Sequence, residues 1–245
     1  MSGRRWVAAV IAMLAVSFPL AGVAAQPDAQ GRADVHATLI RVDVFHAAKG
    51  KPQPSRANCS NDGASSDADW AWLGWKTAGG VAHLNAATVP AGLNDAVGAL
   101  QSAFDEWSDG TGAPGFTVVA AESPVKRQTA NRRTDLLFGR VSGTAIAVTY
   151  TWRWSDGLIE SDTLFNKGLA WSHIAETGDG CNEDQPSYDL QNIAAHEFGH
   201  IYGLDHPSSG RFETMYAYGY TGETLKRSPA VGDLAGIAAI YPTQD

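Results

Sequence analysis

Three histidines and a glutamate fall within eleven residues near the C-terminus: His196-Glu197-Phe198-Gly199-His200-Ile201-Tyr202-Gly203-Leu204-Asp205-His206. His196 and His200 are four residues apart, so on a helix they share one face and can bind one metal ion. Glu197 follows the first of them; it need not ligate and can hold and deprotonate a water. Gly203 is where such a helix can stop, because glycine enters the left-handed backbone region without steric cost. The chain can then turn back and deliver His206 as a third nitrogen. Three imidazoles with a water in the fourth position are the donor set of a catalytic zinc site. A bare pair of histidines at this spacing could equally be a helix surface with two satisfied rings. The glycine and third histidine at fixed offsets draw three of only seven histidines into one segment, and this favours the metal.

The surrounding sequence predicts the elements that hold these groups. Asp189 is placed to cap a helix whose Leu190, Ile193, Ala194 and Phe198 pack inward while the two histidines face a cleft. Upstream, Leu93, Ala96, Val97, Leu100, Phe104 and Trp107 recur at helical spacing and Asp109-Gly110 with Gly112 ends the run. Strands are expected at Val81–Asn85, Phe116–Ala120, Asp135–Val141, Thr144–Trp154 and Leu158–Asn166. Trp70, Trp72 and Trp75 read as a core or sheet-face cluster in preference to a carbohydrate platform. Residues 26–66 are rich in Ala, Gly, Pro, Ser and Asp. They read as a flexible N-terminal segment or short propeptide, with one possible strand at Ala37–Phe45.

Beyond the histidines come Glu213-Thr214-Met215-Tyr216 and then Val231-Gly232-Asp233-Leu234-Ala235-Gly236-Ile237-Ala238-Ala239-Ile240-Tyr241-Pro242. With these the chain resembles the metzincin metalloproteases, and among them the matrixins. The likeness is strong over about residues 185–242, weaker over about 68–184 and absent before that. Astacin-like and serralysin-like metzincins carry a tyrosine two residues after the methionine. That position is Ala217 here, so the matrixin comparison fits better.

The resemblance implies an α+β fold with a twisted mixed β-sheet, an active-site helix, a Met-turn and a C-terminal helix. It implies a zinc endopeptidase with His196, His200 and His206 as metal ligands, Glu197 as general base and Met215 as a hydrophobic floor beneath the zinc. It also implies a peptide or protein substrate bound along a sheet edge, with Ile159–Asn166 as the best candidate edge. A structural calcium, as many matrixins have, would draw on Asp156, Asp162, Asp179, Glu183 and Asp184; a solvated acidic loop is the competing reading. Two other classes stay open: a zinc-bearing binding or adhesion protein without catalysis, against which the intact Glu197 speaks, and a processing protease of narrow specificity.

Composition bounds the setting. Arg4 and Arg5, an apolar run from Trp6 to Val23 and the small residues Val23-Ala24-Ala25 predict a signal peptide over residues 1–25 with cleavage before Gln26, hence a secreted protein. No other segment is long and apolar enough to span a membrane. Without the leader, 16 basic side chains face 26 acidic ones, a balance that argues against nucleic acid as partner. A catalytic domain over residues 67–245, working as a monomer, is expected. The two cysteines, Cys59 and Cys181, are expected to form one disulfide. Many matrixins are held latent by a propeptide cysteine. The surroundings of Cys59, Arg56-Ala57-Asn58-Cys59-Ser60-Asn61-Asp62, lack the glycine and proline of that switch.

Overall fold

The computed structural model describes residues 35–48, 69–123, 125–174 and 186–243. The expected signal peptide, Cys59, Cys181 and the acidic residues Asp179, Glu183 and Asp184 lie outside the described residues.

A seven-stranded mixed sheet forms the frame. Its strands are β1 (Ala37–Ala47), β3 (Gly80–Asn85), β4 (Phe116–Ala121), β5 (Thr134–Gly139), β6 (Ala145–Trp154), β7 (Ile159–Asn166) and the short β11 (Tyr218–Gly219), in the order β11-β1-β6-β7-β5-β3-β4. Two small pairs accompany it. β2 (Ala71–Trp72) runs antiparallel to β10 (Leu204–Asp205), and β8 (Trp171–Ser172) parallel to β9 (Tyr188–Asp189). With the helices α1 (Ala96–Ser108), α2 (Leu190–Ile201) and α3 (Val231–Ile240), this is the expected α+β architecture with a mixed sheet.

The parallel pair β3 and β4 needs a crossover, and α1 provides it. Its buried face is Ala96, Ala99, Leu100, Ala103, Phe104 and Trp107; of the repeat read from the sequence, Ala96, Leu100, Phe104 and Trp107 lie on it, Val97 is exposed and Leu93 precedes the helix. That face packs on α2. The rings of Phe104 and Phe198 stack at 3.7 Å, and the Trp107 indole donates to the Ala195 carbonyl at 2.8 Å. The active-site helix is therefore clamped between α1 and the sheet, and all twelve of its residues are buried.

Two expectations need correction. Ile159–Asn166 is not a sheet edge: β7 pairs with β5 on one side and β6 on the other. The edge was expected from the resemblance alone; the polar residues of this strand are buried and satisfied internally. Glu160 accepts hydrogen bonds from the backbone of Asn131 and Arg132 and from the Trp154 indole. Asp162 accepts from Thr129 and Asp135. Burial pushes the Asp162 carboxyl up to about 8. Asp156, meanwhile, pairs with Arg132. Neither aspartate joins a cation-binding cluster among the described residues. The second correction concerns the N-terminal segment. Ala37–Phe45 is a strand, but it runs on to Ala47 and lies within the main sheet, against β6.

Of the three tryptophans, only Trp75 is buried; Trp72 is 54% exposed. Trp72 and Trp75 are joined in a chain of bonds that ends on the active-site helix: Trp72 donates to the Trp75 carbonyl and Trp75 to the His200 carbonyl. No helix among the described residues is long and apolar enough to cross a membrane.

Candidate metal centre

The start of α2 is fixed as the sequence predicts. Asp189 has extended backbone and its side chain accepts from the Asn192 amide at 2.8 Å, satisfying an N–H that the first helical turn leaves orphaned. Its carboxylate also receives both Nε and Nη2 of Arg227, at 2.9 and 2.7 Å, and the amide of Ile174. Asn192 in turn accepts from the Lys226 amide at 2.7 Å, and the buried Lys226 ammonium pairs with Glu223. Through these contacts the segment after His206, which no sequence periodicity could fold, is tied to the N-terminus of the active-site helix.

At its other end α2 stops at Tyr202. Gly203 follows at φ +98°, and a Cβ there would lie 2.4 Å from the Trp75 carbonyl oxygen. Both the backbone conformation and the close approach require glycine. The chain reverses into β10, and Asp205 places His206 by accepting from its amide at 2.8 Å.

The three rings converge. Nε2 of His206 lies 3.2 Å from Nε2 of His196 and 3.1 Å from Nε2 of His200. Nδ1 of His196 lies 2.7 Å from the Thr214 carbonyl and Nδ1 of His200 lies 2.8 Å from the Leu204 carbonyl. A carbonyl only accepts, so each Nδ1 carries the proton and each Nε2 offers a lone pair to the centre of the cluster. Zn–N bonds of 2.0–2.1 Å arranged tetrahedrally would separate neighbouring nitrogens by about 3.3 Å. The three nitrogens fit that figure, and among the described residues they are the one group able to hold a metal ion. Burial, the first cause in each case, lowers the proton affinity of all three rings, to about 4 for His200 and His206 and well below the usual range for His196. The rings are thus neutral at pH 7, as metal binding needs.

Glu197 is fully buried beside them. Its Oε2 accepts from the Thr149 hydroxyl of β6, while Oε1 has no hydrogen-bond partner among the described residues. Burial raises its proton affinity well above that of an ordinary glutamate. Met215 is buried under the helix, so close that a Cβ on Gly199 would lie 2.1 Å from its sulfur. The turn that carries Met215 hangs from Asp233 in α3, whose carboxylate accepts from the amides of Thr214, Met215 and Ala230. Since Thr214 is also the carbonyl partner of His196, Asp233 and the first ring are only one residue's backbone apart.

The structure thus brings together Glu197, the three histidines and Met215. It does not bring His83 or His173 to them; His173 lies 3.9 Å from Asp95. Sequence reading missed four residues at this centre: Asp43, Phe45, Thr149 and Asp233. Phe45 stacks on the His196 ring at 3.7 Å with 9° between planes, and Asp43 is buried on the same face of β1. Thr149 alternates with Val148 and Tyr150 in β6, so a periodicity was there to find. The acid in the terminal helix motif was the signal for Asp233. Nothing local pointed to Asp43 and Phe45.

No curated protein matches the chain. The family model described as matrixin, a peptidase family, matches residues 83–242, well over half of the chain and all of the site apart from β1. Together with the histidine cluster this supports a zinc metallopeptidase, and the chain belongs to the matrixin family.

Proposed function

We propose that the protein is a secreted zinc-dependent endopeptidase in which His196, His200 and His206 hold the metal and Glu197 moves the protons. One observation carries this reading: three imidazole nitrogens converge beside a buried carboxylate that keeps one oxygen without a partner among the described residues. When bound, zinc lowers the pKa of a coordinated water toward about 7, from 15.7 in bulk, and polarises the scissile carbonyl.

The protein's own groups supply the rest. Thr149 holds Glu197 by Oε2, so the carboxylate keeps one orientation with Oε1 directed away from that bond. Oε1 takes the proton released from the attacking water and passes it to the nitrogen of the leaving amine. The buried surroundings that raise the proton affinity of Glu197 suit it to hold a proton between these two transfers. The Thr214 and Leu204 carbonyls fix the tautomer and plane of two rings, so the site is organised before substrate arrives.

Glu197→Gln keeps shape and removes the base. It is expected to retain zinc and lose peptide hydrolysis by roughly 10²–10⁴-fold or more, since base contributions alone span that range. Metal analysis beside a peptide-cleavage assay checks this, and a variant that cleaves at the parent rate would refute the mechanism.

A further inference from the structure

The face of the sheet turned away from the metal centre carries a feature that peptide hydrolysis does not use. The hydroxyls of Thr149 and Thr163 bond each other, and Thr149 bonds Glu197, so both side chains face the active-site helix. Side chains alternate along a strand, so the next residues, Tyr150 and Leu164, face the other way. There they line a surface cavity of about 300 Å³ together with the exposed cations Lys126, Arg127 and Arg140.

The charge around this cavity is unbalanced. No acidic side chain lines it, and none of the three cations forms an ion pair among the described residues. A second hollow, of about 430 Å³, shares Lys126 and Arg127 and is likewise without an acid. Yet the protein as a whole has a formal charge of −8. The cavity lined by Arg132 and Arg133 shows the contrast. There Asp156 and Asp135 pair with the two arginines and Glu160 joins the lining, so little positive charge is left to attract an anion.

A run of surface cations is ordinarily a solvated face, held by nothing. This one is fastened on both sides by buried polar groups of the sheet. Just before Lys126, the Asn85 side chain donates to the carbonyls of Ser123 and Val125, at 3.2 and 2.6 Å. Just after Gln128, the Thr129 amide donates to Asp162 at 2.9 Å. Asn85 is 2% exposed and Asp162 fully buried. Arg140 follows directly on β5, where the Gly139 carbonyl accepts from the Lys167 amide at 2.8 Å. The backbone that presents the three cations is thus set before any ligand arrives, which lowers the cost of binding one.

We infer that this cavity is a binding site for a sugar bearing a sulfate or phosphate ester, with Arg127, Arg140 and Lys126 receiving the oxyanion. Guanidinium forks match the geometry of tetrahedral oxyanions. Tyr150 and Leu164 offer an apolar wall to the ring, and Gln128 and Ser142 offer neutral hydrogen bonds to its hydroxyls. The volume is at the lower end of small-ligand sites, about 300–1,000 Å³, and suits one such ring. The site lies behind the sheet from Glu197, so it would anchor the protein to material carrying these esters and leave the metal centre free. The inference stands on the cavity alone and does not depend on the peptidase reading.

Isothermal titration calorimetry of the purified full chain tests it with four probes: glucose 6-sulfate, glucose 6-phosphate, inorganic sulfate and glucose. At least one ester should bind more tightly than inorganic sulfate, and more weakly as salt is raised, while glucose should not bind. The tighter ester identifies the oxyanion. Arg127→Gln and Arg140→Gln should each weaken ester binding by about tenfold or more, because hydrogen bonds to charged groups are the stronger ones. The control Arg153→Gln removes an exposed cation that lines neither hollow and should match the parent. Zinc content and peptide cleavage should be the same in the parent and all three variants, so a failure of the peptidase reading would leave this result untouched. Absence of binding by both esters would overturn the site. An equal loss in Arg153→Gln would show that only net charge is sensed, and inorganic sulfate binding as tightly as the esters would make it a site for an adventitious ion only; either result would overturn the proposal.

Discussion

The two walls of the metal centre are made in different ways. The helix wall comes from one stretch of chain, from Asp189 to Met215, closed by Asp233. Its geometry is carried by caps, a helix stop and backbone carbonyls that receive ring protons. The sheet wall comes from three distant stretches: Asp43 and Phe45 in β1, Ile146 and Thr149 in β6, and Gly219 in β11. The helix wall is packed on all sides, and Glu197 Oε1 is its one buried carboxylate oxygen without a hydrogen-bond partner among the described residues. The sheet wall leaves one carboxylate oxygen, Asp43 Oδ2, without a hydrogen-bond partner among the described residues and shows apolar side chains to solvent. One wall is enclosed like a core and the other is open like an interface.

The largest expected difference between the walls lies in metal binding. His196→Ala or His200→Ala removes one of three donors and leaves the others converging on too few ligands. Bound zinc is expected to fall sharply from about one equivalent at three-histidine sites of this kind. Substitutions on the sheet wall should leave metal content near one equivalent. Elemental analysis of the purified variants decides it. Full retention of zinc in both histidine variants would show that the cluster is not the site.

That contrast also describes what could be read from sequence. The histidine spacing, the glycine stop, the Asp189 cap and the α1 face are local patterns, and each predicts its own geometry from a few residues. The sheet order is not local. β7, expected at an edge from the resemblance, has neighbours on both sides, and the residues satisfying its Glu160 and Asp162 lie in a loop some thirty positions upstream, out of reach of any local pattern. β1 was misplaced for the opposite reason. Its alternation is poor because the residues it buries are chosen by the metal centre and not by a hydrophobic core, and its partners sit about a hundred residues downstream. The positioning of Asp233 was half legible: its helix was read, but its two bonds to the Met-turn needed coordinates.

A glycine-to-alanine change on each wall sharpens the comparison. At Gly199 the new methyl would lie 2.1 Å from the Met215 sulfur and 3.0 Å from the Trp107 ring. Both neighbours are buried, so the clash must be absorbed inside the core, at a cost of about 1–3 kcal/mol for overpacking. At Gly219 the methyl would meet the Phe45 ring at 2.8 Å and Ile146 at 3.2 Å. There β1 can lift away, so Gly219→Ala should lower the unfolding midpoint less than Gly199→Ala does. Thermal unfolding of the two variants checks this. A larger loss at Gly219 would show that β1 is packed as firmly as the core.

The smallest expected effect separates the proton chemistry of the helix wall from its packing. Glu213 lies just before the Met-turn and accepts from the amides of Gly232 and Asp233, each at 3.2 Å. Burial, with the neighbouring Asp233 carboxylate, pushes its carboxyl up to about 8 from the usual 4.5. Between those two values the folded protein holds a proton that the unfolded chain releases. The contribution to stability is therefore complete below about pH 4.5 and is lost as pH rises toward 8. Glu213→Gln cannot titrate and should lack this loss. The histidines act in the opposite direction, since their lowered values favour the folded state as pH rises, but they do so equally in parent and variant. Unfolding midpoints of both proteins at pH 5 and pH 8 should thus show the parent's midpoint changing less favourably with rising pH than the variant's. The expected gap is a few degrees, since a change of about 1 kcal/mol moves the midpoint of a domain this size by roughly 2–4 °C. Parallel pH profiles would mean that Glu213 stays ionised throughout and that Asp233 holds the Met-turn without a shared proton.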